Sequence, residues 1–66
     1  MKITINGKPI DIEHEMSLEQ LLVNEGFAIE KIVVAVNDNI IDKTKLSATR
    51  IADNDTLDVM AFVGGG

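Results

Sequence analysis

The chain has 66 residues and no cysteine, which excludes disulfide staples, thiolate metal sites and a cysteine nucleophile and leaves one small domain folding on packing alone. Eleven acidic residues against six basic ones give a formal net charge of -5, which repels nucleic-acid phosphates and anionic lipid surfaces and favours a basic protein partner. No apolar run approaches the roughly 20 residues of a membrane span, and the N-terminus reads as a strand rather than a signal peptide, so no membrane and a cytoplasmic address are expected.

A chain of this size buries only about 60% of its unfolded surface, so the core will be thin. Ile, Val and Leu supply most of its 45% hydrophobic content, a composition suited to β-structure.

Met1, Ile3 and Ile5 alternate with Lys2 and Thr4, Asn6-Gly7 follows, and Ile10 and Ile12 then alternate with Asp11 and Glu13. Two period-two strands joined at Asn-Gly predict a hairpin, because both turn residues tolerate positive φ. Pro9 opens the second strand, where a missing N–H does least harm. Ser17-Leu18-Glu19-Gln20 has the Ser-x-x-Gln form of a capping box, and Leu18, Leu21 and Leu22 share one helical face before Gly26. This predicts a helix from about Leu18 to Glu25. Phe27 and Ile29 bring the chain back under the core. Ile32 to Val36 is a β-rich run that ends at the turn cluster Asn37-Asp38-Asn39, the third strand. From Ile40 to Ala52 a short edge strand and irregular turns are expected, with Ile40, Ile41, Leu46 and Ile51 as core contacts. Asp53-Asn54-Asp55 is another turn, and Thr56 to Val63 is the last strand. Its alternation puts Leu57, Val59, Ala61 and Val63 on one face and Thr56, Asp58, Met60 and Phe62 on the other.

The order β-β-α-β-(β)-β, with a single helix to cover one face, predicts an α+β fold of the β-grasp type. It would have a mixed sheet of four to five strands over residues 1–63 and a flexible glycine tail over 64–66. The last strand would be central and would end in the glycines.

Few residues offer chemistry. His14 is the only imidazole and sits among Asp11, Glu13 and Glu15; without a second imidazole or a thiolate it reads as a solvated strand end, and no metal site is expected. Asp53-Asn54-Asp55 and Asn37-Asp38-Asn39 lack the twelve-residue calcium-loop pattern. Ser17 is explained by its capping role, and no base is placed to make it a nucleophile. Gly64-Gly65-Gly66 neither precedes a helix nor leads to a lysine, so it is no phosphate loop.

Two features remain. With Leu57, Val59, Val34 and Val36 turned to the helix, Val33, Ala35, Met60 and Phe62 fall on the open face and form an apolar patch beside the tail. Glycine has no Cβ, so Gly64 and Gly65 can thread a channel too narrow for other residues and present the Gly66 carboxylate. Activation of that carboxylate by AMP and attack by a sulfur nucleophile would make a thiocarboxylate, a covalent carrier that needs no cysteine. A frayed terminus is the bland alternative.

Together, Met-Lys-Ile-Thr-Ile-Asn-Gly at 1–7, the Ser17 to Leu22 segment, Val34-Ala35-Val36-Asn37, Ile40-Ile41, Asp53-Asn54-Asp55 and Phe62-Val63-Gly64-Gly65-Gly66 resemble, over the whole chain, the ThiS family. These are the sulfur carriers of thiamine biosynthesis, in the ubiquitin-like β-grasp group and related to MoaD. The resemblance implies a carrier rather than an enzyme, with no catalytic residues of its own and no bound cofactor. It implies that the Gly66 carboxylate is adenylated by a ThiF-like, E1-like adenylyltransferase that uses ATP. Sulfur from a cysteine desulfurase persulfide would then give a thiocarboxylate, which is donated to a ThiG-like thiazole synthase. Gly65 and Gly66 match the family's terminal pair. Asn54 and Asp38 stand where glycine is common, and the aromatic often seen near Leu46 is absent. Beside this reading stand a molybdopterin synthase small subunit, a ubiquitin-like modifier, a plain β-grasp interaction module with an incidental tail, and a subunit whose tail only plugs a partner's pocket.

Overall fold

The computed structural model describes residues 1–62; Val63, Gly64, Gly65 and Gly66 lie outside the described residues. Strands β1 (Lys2–Ile5) and β2 (Lys8–Asp11) pair antiparallel with Ile5 opposite Lys8. Their two-residue loop has φ of 51° at Asn6 and 82° at Gly7, the doubly left-handed geometry whose twist matches that of the strands. The same device recurs between β3 (Ile32–Val36) and β4 (Asn39–Ile41). There Val36 faces Asn39 and φ is 49° at Asn37 and 72° at Asp38. Strand β5 (Thr56–Ala61) lies between the hairpins, parallel to β1 and antiparallel to β3, in the sheet order β2-β1-β5-β3-β4. This is the expected mixed β-grasp sheet, with five strands. Pro9 lies in the edge strand β2.

Helix α1 (Leu18–Asn24) starts where the Ser17 Oγ accepts from the Gln20 N–H at 3.1 Å. The reciprocal half of the capping box is not made: Gln20 Nε2 donates instead to Asn24 Oδ1 at 2.9 Å. The helix ends one residue before the expected Glu25, which is its C-cap, and Gly26 follows at φ 90°. Two further helix-start donors are satisfied from the 42–52 segment, Leu18 N–H by the Thr49 carbonyl and Glu19 N–H by the Leu46 carbonyl. That segment is therefore ordered by the helix end it caps. Asp42 opens its 3-10 turn, Lys43–Lys45, and hydrogen bonds from the Thr44 backbone and hydroxyl hold its carboxyl below the usual carboxylate range.

The core lies between α1 and one face of the sheet. Ile3, Ile5, Leu18, Leu21, Leu22, Val34, Leu46, Ile51 and Leu57 are buried there, and Phe27 and Ile29 pack against its margin half-buried. One expectation is corrected. Ile40 is 71% exposed rather than in the core, because Ala35 pairs with it and Ala35 belongs to the open face; its neighbour Ile41 turns inward. Ala61 pairs with the buried Ile32 yet is itself exposed, at the end of β5.

Asp38 and Asn54 hold positive φ (72° at each), a conformation that glycine adopts without strain. Asp38→Gly is expected to stabilise the fold by about 0.5 kcal/mol, the relief of left-handed strain exceeding the added entropy of the unfolded chain. Asp38→Ala should destabilise it by about 1 kcal/mol. Urea denaturation of the two variants checks the opposite signs.

Candidate docking face and the strand that leads to the tail

Strand β5 carries the chain toward the glycines and has a neighbour on each side. Its β1 ladder is short, with only Thr4–Thr56 and Ile5–Leu57 in register. Beyond it, where β1 turns away, the Asn6 side chain takes over. Asn6 Oδ1 accepts from Val59 N–H at 2.8 Å and Asn6 Nδ2 donates to the Val59 carbonyl at 3.2 Å, so one amide side chain imitates a strand peptide. On the other side Asn37 Oδ1 accepts from Thr56 N–H at 3.0 Å, while Asn37 Nδ2 donates to Asp55 Oδ1 at 3.0 Å. The buried Asp55 uses its second oxygen to accept from Ala52 N–H at 2.8 Å. Each turn asparagine thus has two roles, and only the turn role is visible in local sequence.

The open face of the sheet holds the apolar residues. Val33 pairs with Met60, Ala35 lies between Asp58 on β5 and Ile40 on β4, and Met60 is 58% exposed. Val33 and Ala35 are half-buried between these strands. Ile40 is a member of this surface that the sequence reading placed elsewhere. The signal was present: a two-residue turn at Asn37-Asp38 puts Ile40 directly opposite Ala35. Asp58 adds an exposed carboxylate at the margin. A depression of about 320 Å³ is lined by Val33 and Ile40 together with Lys43 and the inward-facing Ile32, Val34, Ile41 and Leu46. Phe62 follows β5, 48% exposed, with the Lys43 ammonium 5.2 Å from its ring centroid. Lys43 was not singled out in the sequence.

The carboxylate-bearing Gly66 and the threading residues Gly64 and Gly65 lie outside the described residues. His14 is exposed, and Ser17 is occupied as the helix cap. Among the described residues there is no group of three or more His, Cys, Asp or Glu side chains placed to hold a metal ion. No helix among them is long and apolar enough to cross a membrane. What the face offers is apolar contact area beside a strand aimed at the end of the chain.

Residues 3–66 match the model of the ThiS family. The chain belongs to the ThiS family. Its fold agrees with the crystal structure of the thiamine biosynthesis protein ThiS from Geobacter metallireducens, at a TM-score of 0.82 and 28% identity with all of both chains covered. The chain is 38% identical over its full length to a thiazole synthase of Magnetococcus marinus, of which it spans 20%. It is 36% identical to the uncharacterized protein ycf40 of Pyropia yezoensis, of which it spans 93%. The ThiS match includes the glycine end as well as the sheet.

Asn6→Asp would set a carboxylate oxygen against the Val59 carbonyl in place of a donor. The expected cost is about 1 kcal/mol or more at neutral pH, lowering the thermal midpoint by roughly 4 to 8 °C per kcal/mol. The deficit should shrink as pH falls toward about 4, where the introduced carboxyl regains a proton to donate. Thermal melts of both proteins across this range check it. The division of faces is checked by a second pair: Met60→Asp should leave the midpoint nearly unchanged, whereas Val59→Asp, which buries a charge, should unfold the domain. Circular dichroism separates the two outcomes.

Proposed function

We infer that this ThiS-family protein is a sulfur carrier in thiazole formation for thiamine biosynthesis, a co-substrate rather than an enzyme. The observation that carries the reading is the ThiS match extending through the glycine end, over residues 3–66. With Gly66 as the last residue, its carboxylate attacks the α-phosphate of ATP in an E1-like adenylyltransferase, forming an acyl adenylate and releasing pyrophosphate. With bisulfide as nucleophile, attack at the acyl carbon expels AMP and leaves a thiocarboxylate. With a persulfide, attack expels AMP to give an acyl disulfide, and a partner thiol then cleaves its S–S bond, releasing the thiocarboxylate and forming a disulfide in its place. A cysteine desulfurase is the proposed source of the sulfur and a thiazole synthase its recipient; the likeness to thiazole synthases supports that pathway over molybdopterin synthesis.

The physical division of labour follows. A carboxylate is a poor electrophile, and adenylation by the partner supplies a leaving group. Gly64 and Gly65 bring the acyl group through a narrow passage, and ordering three backbone residues costs roughly 3 to 6 kcal/mol. Docking through Val33, Ala35, Met60 and Phe62, with Ile40 beside them, offsets that ordering: burial of apolar surface stabilises by about 25 cal/mol per Å². Basic groups on the partner would meet Asp58 and the net charge of -5, which speeds encounter.

Incubation with the adenylyltransferase, ATP and bisulfide should raise the intact mass by the difference between one sulfur and one oxygen. The protein lacking Gly66 should show no gain. An unchanged mass in the intact protein, with the adenylyltransferase active on another carrier, would overturn the reading. In the same assay Met60→Asp should raise the KM for the carrier while the protein stays folded.

A further inference from the structure

We propose that Lys43 is a positioning residue for the transfer, holding Phe62 so that the chain leaves the central strand in a fixed direction. The proposal rests on the carrier reading above. Three observations meet at this point. The Lys43 Nζ donates to the Glu30 carbonyl at 2.6 Å, a short, charge-assisted bond. The same ammonium lies 5.2 Å from the centroid of the Phe62 ring, inside the distance at which the ring quadrupole attracts a cation. The Phe62 N–H donates to the Lys31 carbonyl at 3.0 Å, carrying the β3–β5 ladder one residue past the strand.

Glu30 and Lys31 are consecutive and belong to one 3-10 turn, Ile29–Lys31. Lys43 belongs to another, Lys43–Lys45. Two short turns far apart in sequence therefore grip the residue four positions before Gly66, one through the backbone and one through the ring. Burial does not fix the ring, since Phe62 is half exposed. The Lys43 cation supplies the contact that the exposed ring makes. Lys43 also lines the depression that Ile32, Val34, Ile41 and Leu46 form with Val33 and Ile40.

The consequence is pre-organisation. A chain whose direction is fixed at Phe62 has fewer residues to order when the glycines enter an active site. Docking of the body is unaffected by that grip, so the effect falls on turnover. The effect is bounded by the strength of an exposed cation–ring contact, roughly a two- to five-fold loss in rate.

Lys43→Met keeps most of the stem and removes the cation; Lys43→Arg keeps the cation and stacks well on a ring. In the mass-gain assay run at steady state, Lys43→Met should lower kcat about two- to five-fold with KM for the carrier unchanged, and Lys43→Arg should restore it. Phe62→Leu should reproduce the Lys43→Met loss by an independent route. In NMR spectra of the wild type, the Lys43 ε-methylene protons should be shifted upfield by the ring, and Phe62→Leu should abolish the shift. A rise in KM with kcat unchanged would overturn the proposal by making Lys43 a docking residue, as would unchanged kinetics or failure of Lys43→Arg to rescue. No mass gain in the wild type would overturn the carrier reading and this role with it, while the ring shift would still report the grip itself.

Discussion

The hydrogen bonds from Asn6 and Asn37 to the central strand hold the two halves of the sheet to β5. Each asparagine sits at a left-handed position of a tight turn and reaches sideways to a backbone group of β5 that no neighbouring strand serves at that point. These bonds reinforce the register that the β1–β5 and β3–β5 ladders set. The register in turn decides which side chains lie beneath the helix, since a slip of one residue would exchange the two faces. A thin core makes this important. In a domain that buries so little of its chain, no surplus of apolar contacts is available to impose register by packing alone.

The same registration separates the core from the open face. Leu57 and Val59 point to the helix while Asp58 and Met60 point away, so one strand contributes to the core on one side and to an exposed surface on the other. The 42–52 segment extends the economy, supplying Leu46 and Ile51 to the core, carbonyls to the helix start, and Lys43 to the strand end.

Much of this was legible in the chain, for identifiable reasons. Alternation around Asn6-Gly7, the Ser17 cap, and the Ile32 to Val36 run are local signals, and local signals set the strands and the helix. The open-face positions of Val33, Ala35 and Met60 followed from parity alone. Ile40 is apolar yet exposed, because the turn at Asn37-Asp38 sets its side and hydrophobicity alone does not. The order in 42–52 was hidden because its partners are a helix terminus and Phe62, both distant in sequence. The side-chain roles of Asn6 and Asn37 were hidden for the same reason: a turn residue looks complete without them. Lys43 gave no pattern, being one lysine in a polar stretch.

The central placement of β5 has a mechanical meaning. An edge strand drawn by its end would peel, each hydrogen bond bearing the load in turn. β5 is bonded to β1 on one side and β3 on the other, with the bonds lying across the strand. A pull along its C-terminal direction therefore loads both ladders in shear, and their bonds must yield together. A protein built this way can be grasped and drawn by its last residues while its body stays whole.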